Sequence, residues 1–284
     1  MTERAETTQG PTPRLPEGPV DLRLVAVDMD GTLLDPNGAP PPGLPALLAE
    51  LTERGIVFAP ASGRQYATLA ELFGPLGAGL TFIAENGSYV VRDGLEVSCL
   101  TLPPELVARV VARIRELARA GGDLGLVVCG KRSAWIERGD APFLEQVRTY
   151  YEALAIVDDL DEVDDDVLKL AVFDFAGAER GAYPALAELP GTHRTIVSSH
   201  NWIDVMHPDA DKGAALAALR GQLGVTVEQT AVFGDYLNDL GMLDEAGLSF
   251  AMANAHPAVI ERARYVAPSN AEDGVVRTVR RLLD

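Results

Sequence analysis

Apolar residues are arranged along the chain in short runs that alternate with segments of helical spacing. Residues 22–27 are almost entirely apolar, which is typical of a strand buried on both faces of a parallel sheet. Residues 46–54 predict a helix that ends at Gly55. The alternation continues with predicted strands at 56–59 and 81–84 and a predicted helix at 65–73. This order of elements predicts a parallel sheet flanked by helices.

The pattern changes after residue 87. Residues 89–97 predict a hairpin that turns at Asp93-Gly94, and residues 105–120 predict a helix with a single apolar stripe. Elements of both kinds follow, with strands at 124–128, 134–137, 168–175, 195–198 and 202–206, and helices at 143–154 and 183–189. This stretch predicts an α+β segment inserted into the parallel-sheet core.

The regular alternation resumes at Asp211. The predicted elements are helices at 213–223, 240–246 and 275–283, and strands at 231–233 and 248–251. The sequence therefore predicts an α/β fold in which an α+β insertion interrupts a parallel sheet.

Composition narrows the possible partners and compartments. The net charge of -18 disfavours binding to nucleic acid or to anionic membranes, and no apolar run approaches the roughly 20 residues of a membrane helix. Residues 1–20 are rich in proline and lack the apolar centre of a secretory signal, so they predict a disordered tail. Cys99 and Cys129 are too few for a disulfide framework and predict buried thiols in a cytoplasmic protein.

Polar residues stand at the ends of the predicted core strands. In a parallel sheet the ligand binds outside the carboxyl ends of the strands, so these residues are expected on one edge. Any one of them could serve as a helix cap or a turn residue, but together they predict a single site. The segments are Asp28 to Thr32, Ser62 to Arg64, Asp211 to Gly213 and Asp235 to Asp239.

Each of these residue types suits phosphate chemistry. A carboxylate such as Asp28 can attack phosphorus, and alternation along an extended strand would point Asp30 the same way. Two close carboxylates, with Asp235 as a third, are costly unless a cation such as Mg²⁺ lies between them. Gly31 permits a tight turn that aims backbone N–H groups at an anion, and Ser62 is predicted at a helix N-terminus, which favours phosphate.

Lys212 is predicted at the start of a helix, where the helix dipole disfavours a cation by about 0.3–1 kcal/mol. A bound phosphate would reverse that penalty. The alternative is an ion pair with Asp209 or Asp211. Because three other polar segments are predicted at the same edge of the sheet, a phosphate contact is the favoured role of Lys212.

Four segments resemble the sequence motifs of the haloacid dehalogenase superfamily: DMDGTLL, the Ser62-Gly63-Arg64 turn, DKGAAL and GDYLNDLGML. IAENGS, AMANAHPAV and EDGVVRTVRRLL are similar to its Cof-type phosphatase branch, in which a cap is inserted between the second and third motifs. The resemblance covers roughly residues 21–284. It implies a Rossmann-like catalytic core at 21–87 and 207–284 and a C2-type α+β cap domain at 88–206.

The resemblance also implies residue roles. Asp28 is the expected nucleophile and Asp30 the expected general acid and base, and the catalytic set is completed by Ser62 and Lys212. The expected metal is Mg²⁺, held by Asp28, the carbonyl of Asp30 and Asp235, with Asp239 supporting a bound water. The expected phosphate or substrate contacts are Met29, Gly31, Ser62, Gly63, Arg64, Asn86, Lys212 and Asn238.

The implied activity is Mg²⁺-dependent hydrolysis of small phosphorylated metabolites, such as sugar phosphates or similar esters. A phosphomutase would use the same aspartyl phosphate, and a non-catalytic binding module could use the same fold. The sequence identifies neither the substrate nor the oligomeric state. Packing or simple exposure is the favoured interpretation of Arg132, Trp135, His200 and Asn201, and the acidic run at 158–166 is interpreted as a solvated loop.

Overall fold

The computed structural model describes residue 16 and residues 20–284. The predicted tail at 1–20 therefore lies outside the described residues, apart from Pro16 and Val20. In the described part of the chain, no helix combines the length and the apolar character needed to cross a membrane.

The elements are numbered in chain order. The strands are β1 (Leu24–Asp28), β2 (Val57–Ala61), β3 (Thr81–Ala84), β4 (Tyr89–Arg92), β5 (Leu95–Cys99), β6 (Leu124–Gly130), β7 (Ala134–Ile136), β8 (Leu154–Ile156), β9 (Val167–Asp174), β10 (Arg194–Val197), β11 (Trp202–Met206), β12 (Thr230–Gly234), β13 (Leu248–Met252) and β14 (Tyr265–Ala267). The helices are α1 (Leu44–Glu53), α2 (Tyr66–Phe73), α3 (Pro104–Arg119), α4 (Ala141–Val147), α5 (Ala182–Ala187), α6 (Lys212–Leu223), α7 (Leu240–Asp244), α8 (Pro257–Arg262) and α9 (Gly274–Leu283).

The chain forms two compact units. The first contains the residues up to Ser62 together with Lys212–Asp284, and the second is Gly63–Asp211. The predicted domain boundaries, with the insertion at 88–206, differ from the limits of these two units and stay a prediction.

The first unit contains a parallel sheet in the order β14-β13-β12-β1-β2. In the central strands Val27 is level with Phe233, and Asp28 is level with Ala61. Every residue of β1, β12 and β13 is buried, which explains their nearly continuous apolar sequences. The rings of Phe233 and Phe250 stack across neighbouring strands with their centroids 4.7 Å apart. The loops after the strands begin at the edge of this buried centre.

The second unit contains a six-stranded sheet in the order β10-β11-β9-β6-β7-β8, and a separate antiparallel run of β3, β4 and β5. All pairings of the six strands are antiparallel except β7 with β8. Alternate residues of β6 enter two cores, Leu126 facing the side of α3 and α5 and Val127 facing the side of α4. The predicted α/β class, with a parallel sheet and an α+β insertion, is confirmed.

Some local predictions are wrong. The helix predicted at 143–154 ends at Val147, and residues 154–156 form β8, which pairs in parallel with β7. Both β14 and α8 were not expected, because three and six residues are too few to display a period. In these segments pairing with a neighbouring element decides the structure.

Candidate active site

Three loops of the first unit begin at the same edge of its parallel sheet. Asp28 is the last residue of β1, Ser62 follows β2, and Asp235 follows β12. Because β1 lies between β2 and β12 and all three are parallel, their carboxyl ends are neighbours. The fold thus gathers polar residues that are more than 200 positions apart in sequence.

Three carboxylates form a cluster at this edge. Asp28, Asp235 and Asp239 each offer one oxygen, and these oxygens lie within 4.8 Å of one another. Carboxylate oxygens are the hard ligands that Mg²⁺ and Ca²⁺ prefer. Three carboxylates and one nearby lysine leave an excess of negative charge that suits a divalent cation. The residues present therefore fit a metal ion.

Lys212, the first residue of α6, is the cation of this cluster. Its Nζ lies 2.5 Å from Asp28 Oδ1 and 2.9 Å from Asp239 Oδ1, and its side chain is only 1% exposed. Burial alone would lower the pKa of Lys212, but Asp239 and Asp28 raise it, so the ammonium stays charged. Both partners of Lys212 are carboxylates of the cluster, which favours the phosphate interpretation of this lysine over the alternative pairing with Asp209 or Asp211.

The carboxylate of Asp28 is poorly solvated. Burial raises its pKa well above the usual range, and repulsion from Asp239 adds to that rise, while Lys212 opposes it. Burial also raises the pKa of Asp235. A cation among these oxygens would favour their ionised forms, which is the form of Asp28 that can act as a nucleophile.

Asp239 stabilises the loop after β12 through its carboxylate. Its Oδ2 accepts hydrogen bonds from the backbone N–H groups of Asp235 (3.0 Å) and Tyr236 (3.2 Å), while its Oδ1 contacts Lys212. A Cβ at Gly234 would lie 2.5 Å from the Cβ of Asp239, so a glycine is needed there. Protein donors hold both oxygens of Asp239, and this supports its predicted indirect role through a bound water.

The loop after β1 turns at Gly31, whose φ is +79°. A Cβ at Gly31 would lie 2.4 Å from Asp235 Oδ2, so the absence of a side chain lets the two loops meet. The next residue, Thr32, is buried and donates a hydrogen bond from Oγ1 to Asp235 Oδ1 (2.9 Å). Thr32 is the last residue of the polar segment Asp28 to Thr32, but no role for it was predicted from the sequence.

Two asparagines hold the outer side of the same loop. Asn254 Nδ2 donates to the carbonyl of Gly31 (2.8 Å), and Asn270 Nδ2 donates to the carbonyl of Leu34 (2.8 Å). The Asn270 backbone N–H donates to Asn254 Oδ1 (3.0 Å), which fixes the orientation of that amide. Asn254 belongs to the AMANAHPAV segment, but its contact with Gly31 could not be predicted from the sequence.

The remaining predicted residues of this loop differ in exposure. The side chain of Met29 is fully buried in the core, so only its backbone is available to a phosphate. Asp30 is exposed. The strand ends at Asp28, and Asp30 lies in the following turn with extended backbone angles (φ −77°, ψ 122°), so the premise that both aspartates belong to one strand is wrong. Their joint action on one phosphate stays a prediction.

Ser62 and Asn238 occupy loops at the same sheet edge. Ser62 is buried, whereas Asn238 is exposed between Asp235 and Asp239. The helix predicted at 65–73 begins at Tyr66, with Gln65 as its N-cap residue, so Ser62 lies three residues before that cap. Ser62 is therefore not the N-cap of this helix, and its phosphate contact stays a prediction.

Gly63, Arg64 and Asn86 belong to the second unit. Asn86 is buried with a φ of +56°, and its Nδ2 lies 3.8 Å from the sulfur of Met206. A Cβ at Gly63 would meet the side-chain amide of Asn86 at 3.0 Å. The carbonyl of Arg64 accepts a hydrogen bond from the backbone N–H of Glu85. The roles predicted for these three residues stay predictions.

Two of the residues interpreted as packed or exposed, Trp135 and Asn201, make side-chain hydrogen bonds within the second unit. Trp135 Nε1 donates to Asp165 Oδ2 (3.1 Å), and Asn201 Nδ2 donates to the carbonyl of Asp174 (2.7 Å). The side chain of Asp165 is only 2% exposed, so the acidic run is not solvated throughout. Arg132 and Trp135 line a cavity of about 680 Å³ whose other walls include four acidic residues, and such a cavity would repel a phosphate.

Comparisons with known proteins identify the family of the chain. The family model for haloacid dehalogenase-like hydrolases matches residues 25–279. The chain is 33% identical to the 5-amino-6-(5-phospho-D-ribitylamino)uracil phosphatase YbjI of Escherichia coli over 267 residues, which cover 93% of this chain and 97% of that protein. It is 30% identical to YcsE of Bacillus subtilis, a phosphatase of the same printed specificity, over 92% of this chain and 96% of that protein.

A solved structure gives the same result at the level of the fold. SMU.1108c from Streptococcus mutans superimposes with a TM-score of 0.81 and 27% identity, over 92% of this chain and 99% of that one. The match spans both units of the chain, and the two curated relatives are phosphatases. The chain therefore belongs to the haloacid dehalogenase-like hydrolases, in the Cof-type branch, and it is a phosphatase.

Proposed function

We propose that this phosphatase hydrolyses small phosphate monoesters with Mg²⁺ as its cofactor and Asp28 as its nucleophile. The observation that carries the proposal is the buried contact between Lys212 and Asp28 at the edge of the sheet, beside two further carboxylates. A buried, fixed cation next to a carboxylate can balance the charge of a phosphoryl group that Asp28 attacks.

In this proposal Asp28, Asp235 and the carbonyl of Asp30 hold the metal, and Asp239 acts through a water. When bound, Mg²⁺ would neutralise charge on the phosphoryl oxygens. The charge of the three-carboxylate cluster supports this assignment. Lys212, Ser62, Asn238 and the backbone of Met29 and Gly31 are the proposed phosphate contacts in the first unit.

The reaction proceeds in two steps. An oxygen of Asp28 attacks phosphorus, the bond from phosphorus to the ester oxygen breaks, and Asp30 gives its proton to the departing oxygen. Asp30 then takes a proton from water, whose oxygen attacks the aspartyl phosphate. The bond between Asp28 and phosphorus breaks, and inorganic phosphate leaves. The exposure of Asp30 supports this role, because a proton carrier must reach solvent.

The proposed substrates are sugar phosphates and similar esters. The two curated relatives act on a ribityl phosphate, which supports that class, and both are phosphatases, which favours transfer to water over a mutase reaction. The test is phosphate release from pentose, hexose and ribityl phosphates, including 5-amino-6-(5-phospho-D-ribitylamino)uracil, each with Mg²⁺. We expect a dominant substrate within this set. Absence of phosphate release from every ester would refute the proposal.

We also propose a cytoplasmic location without a nucleic-acid partner. Cys99 and Cys129 are both free thiols, which fits a reducing compartment. The net charge of -18 would repel nucleic acid.

Activity is expected to depend on Mg²⁺ and to be poorly supported by Ca²⁺. Calcium takes six to eight ligands at about 2.3–2.6 Å and accepts bidentate carboxylates, whereas magnesium keeps an octahedral shell at about 2.0–2.1 Å. If Ca²⁺ bound both oxygens of Asp28, no oxygen would stay free for the attack on phosphorus. The measurement is steady-state turnover with Mg²⁺, with Ca²⁺ and with EDTA. Equal rates in all three would show that this metal assignment is wrong.

A further inference from the structure

A buried hydroxyl contacts one carboxylate of the cluster. Thr32 is 1% exposed, and its Oγ1 donates to Asp235 Oδ1 at 2.9 Å. The two residues are 203 positions apart in sequence, so the contact depends on the meeting of two loops. A carboxylate can only accept, and a threonine hydroxyl in this place can donate to it.

The surrounding contacts fix this hydroxyl. Gly31 has a φ of +79° and packs its backbone against the Asp235 carboxylate, which brings Thr32 into reach. Asn254 holds the carbonyl of Gly31 from the outer side. The backbone carbonyl of Asp235 accepts a hydrogen bond from the N–H of His256 (2.8 Å), so Asp235 is held at its main chain and at its carboxylate.

Oriented carboxylates bind metals better than mobile ones. A hydrogen bond to one oxygen of Asp235 removes rotational freedom from the carboxylate and leaves its other oxygen in a fixed direction. Mutation of a residue that orients a metal ligand in this way commonly lowers the metal affinity by about 10- to 100-fold.

We propose that Thr32 is a positioning residue for the metal site, which orients Asp235 through its hydroxyl. This inference rests on the proposed Mg²⁺-dependent function. Thr32 contacts neither the phosphate nor the metal in this proposal. Its effect is therefore expected on the affinity for the metal, and not on the chemical step once the metal is bound.

The test compares three variants of the full chain. Thr32→Val removes the hydroxyl and nearly keeps the shape, and Thr32→Ser keeps the hydroxyl. Thr278→Val is the matched control, because Thr278 is 2% exposed and its Oγ1 has no hydrogen-bond partner among the described residues. Binding of Mg²⁺ is measured by calorimetry without substrate, and turnover is measured as a function of Mg²⁺ concentration.

We expect Thr32→Val to raise the Mg²⁺ dissociation constant by about 10 to 100-fold, and to recover most of its turnover at saturating Mg²⁺. Thr32→Ser and Thr278→Val should bind as the wild type does. A Thr32→Val protein that has a lower unfolding temperature but the wild-type affinity for Mg²⁺ would overturn the inference, since the hydroxyl would then only stabilise the loop.

The two proposals fail in different ways. If wild type and Thr32→Val bind Mg²⁺ equally, the role of Thr32 is overturned and the proposed function stands. If the wild type binds no Mg²⁺ and releases no phosphate, the proposed function is overturned, and the role of Thr32 with it.

Discussion

Replacing Asp28 with asparagine is expected to abolish phosphate release, with a loss on the order of 10⁶-fold, as when a hydrolase loses its covalent nucleophile. The amide keeps the shape of the side chain but is a far weaker nucleophile. It also removes a charge from the contact with Lys212. The measurement is phosphate release with the best ester of the panel, at saturating Mg²⁺.

The matched control for this variant is Asp35→Asn. Asp35 lies a few residues after Asp28, and its carboxylate accepts hydrogen bonds from the backbone N–H groups of Asn37 and Ala39. An asparagine oxygen can accept the same two bonds, so turnover should stay at the wild-type level. Normal turnover by Asp28→Asn would show that Asp28 is not the nucleophile.

A companion variant makes the covalent step visible. Asp30→Asn should lower turnover by about 10²–10⁴-fold, because general acid and base catalysis by one side chain typically contributes that factor to the rate. An aryl phosphate scarcely needs the first proton, so formation of the phosphoenzyme should survive better than its hydrolysis. Intact-protein mass after a rapid acid quench should show an added phosphoryl group on Asp28. An adduct on another residue would contradict the mechanism.

The sequence predicted those parts of the fold that depend on local patterns. The apolar run of β1, followed at once by Asp28, is a local signal, and so is the apolar run of β12 before Gly234-Asp235. The rule that parallel strands carry ligands at their carboxyl ends then placed these segments together. The likeness to known motifs assigned their roles.

The contacts that complete the candidate site are not local. Thr32 meets Asp235, and Asn254 meets Gly31, only because separate loops converge after the sheet has formed. Contacts between separate loops leave no periodic pattern or characteristic spacing in the sequence. The contacts of Lys212 with Asp28 and Asp239 could not be predicted from the sequence for the same reason, because these aspartates are 184 and 27 positions away.

Lys169 is a further residue whose contacts could not be predicted from the hydrophobic pattern of its strand. It interrupts the apolar strand β9, and the strand was predicted without any account of its charge. In the structure Lys169 is buried, with its Nζ 2.7 Å from Glu85 Oε2 and 3.9 Å from Asp204 Oδ1. It also donates to the carbonyl of Gly63 (2.9 Å). A lysine in a buried strand therefore signals a buried partner, which the sequence does not identify.

Replacing Lys169 with methionine is expected to lower the free energy of unfolding by about 3–5 kcal/mol, because the variant leaves Glu85 and Asp204 buried without their cation. Lys131→Met is the matched control. Lys131 also pairs with two carboxylates, Glu96 and Asp166, but its side chain is 22% exposed, so its loss should cost only about 0–1 kcal/mol. The measurement is urea unfolding of the full chain at neutral pH.

The pH dependence of this deficit distinguishes lost charge pairing from lost packing. Burial raises the pKa of Glu85 and of Asp204, and Lys169 opposes that rise. Without Lys169 both pKa values rise further above those of the unfolded chain, so protonation favours the folded variant. The deficit should therefore be full at neutral pH and shrink as the pH falls through the raised pKa values. A deficit for Lys169→Met that is as small as that of Lys131→Met, or that does not change with pH, would mean that the buried carboxylates do not depend on Lys169.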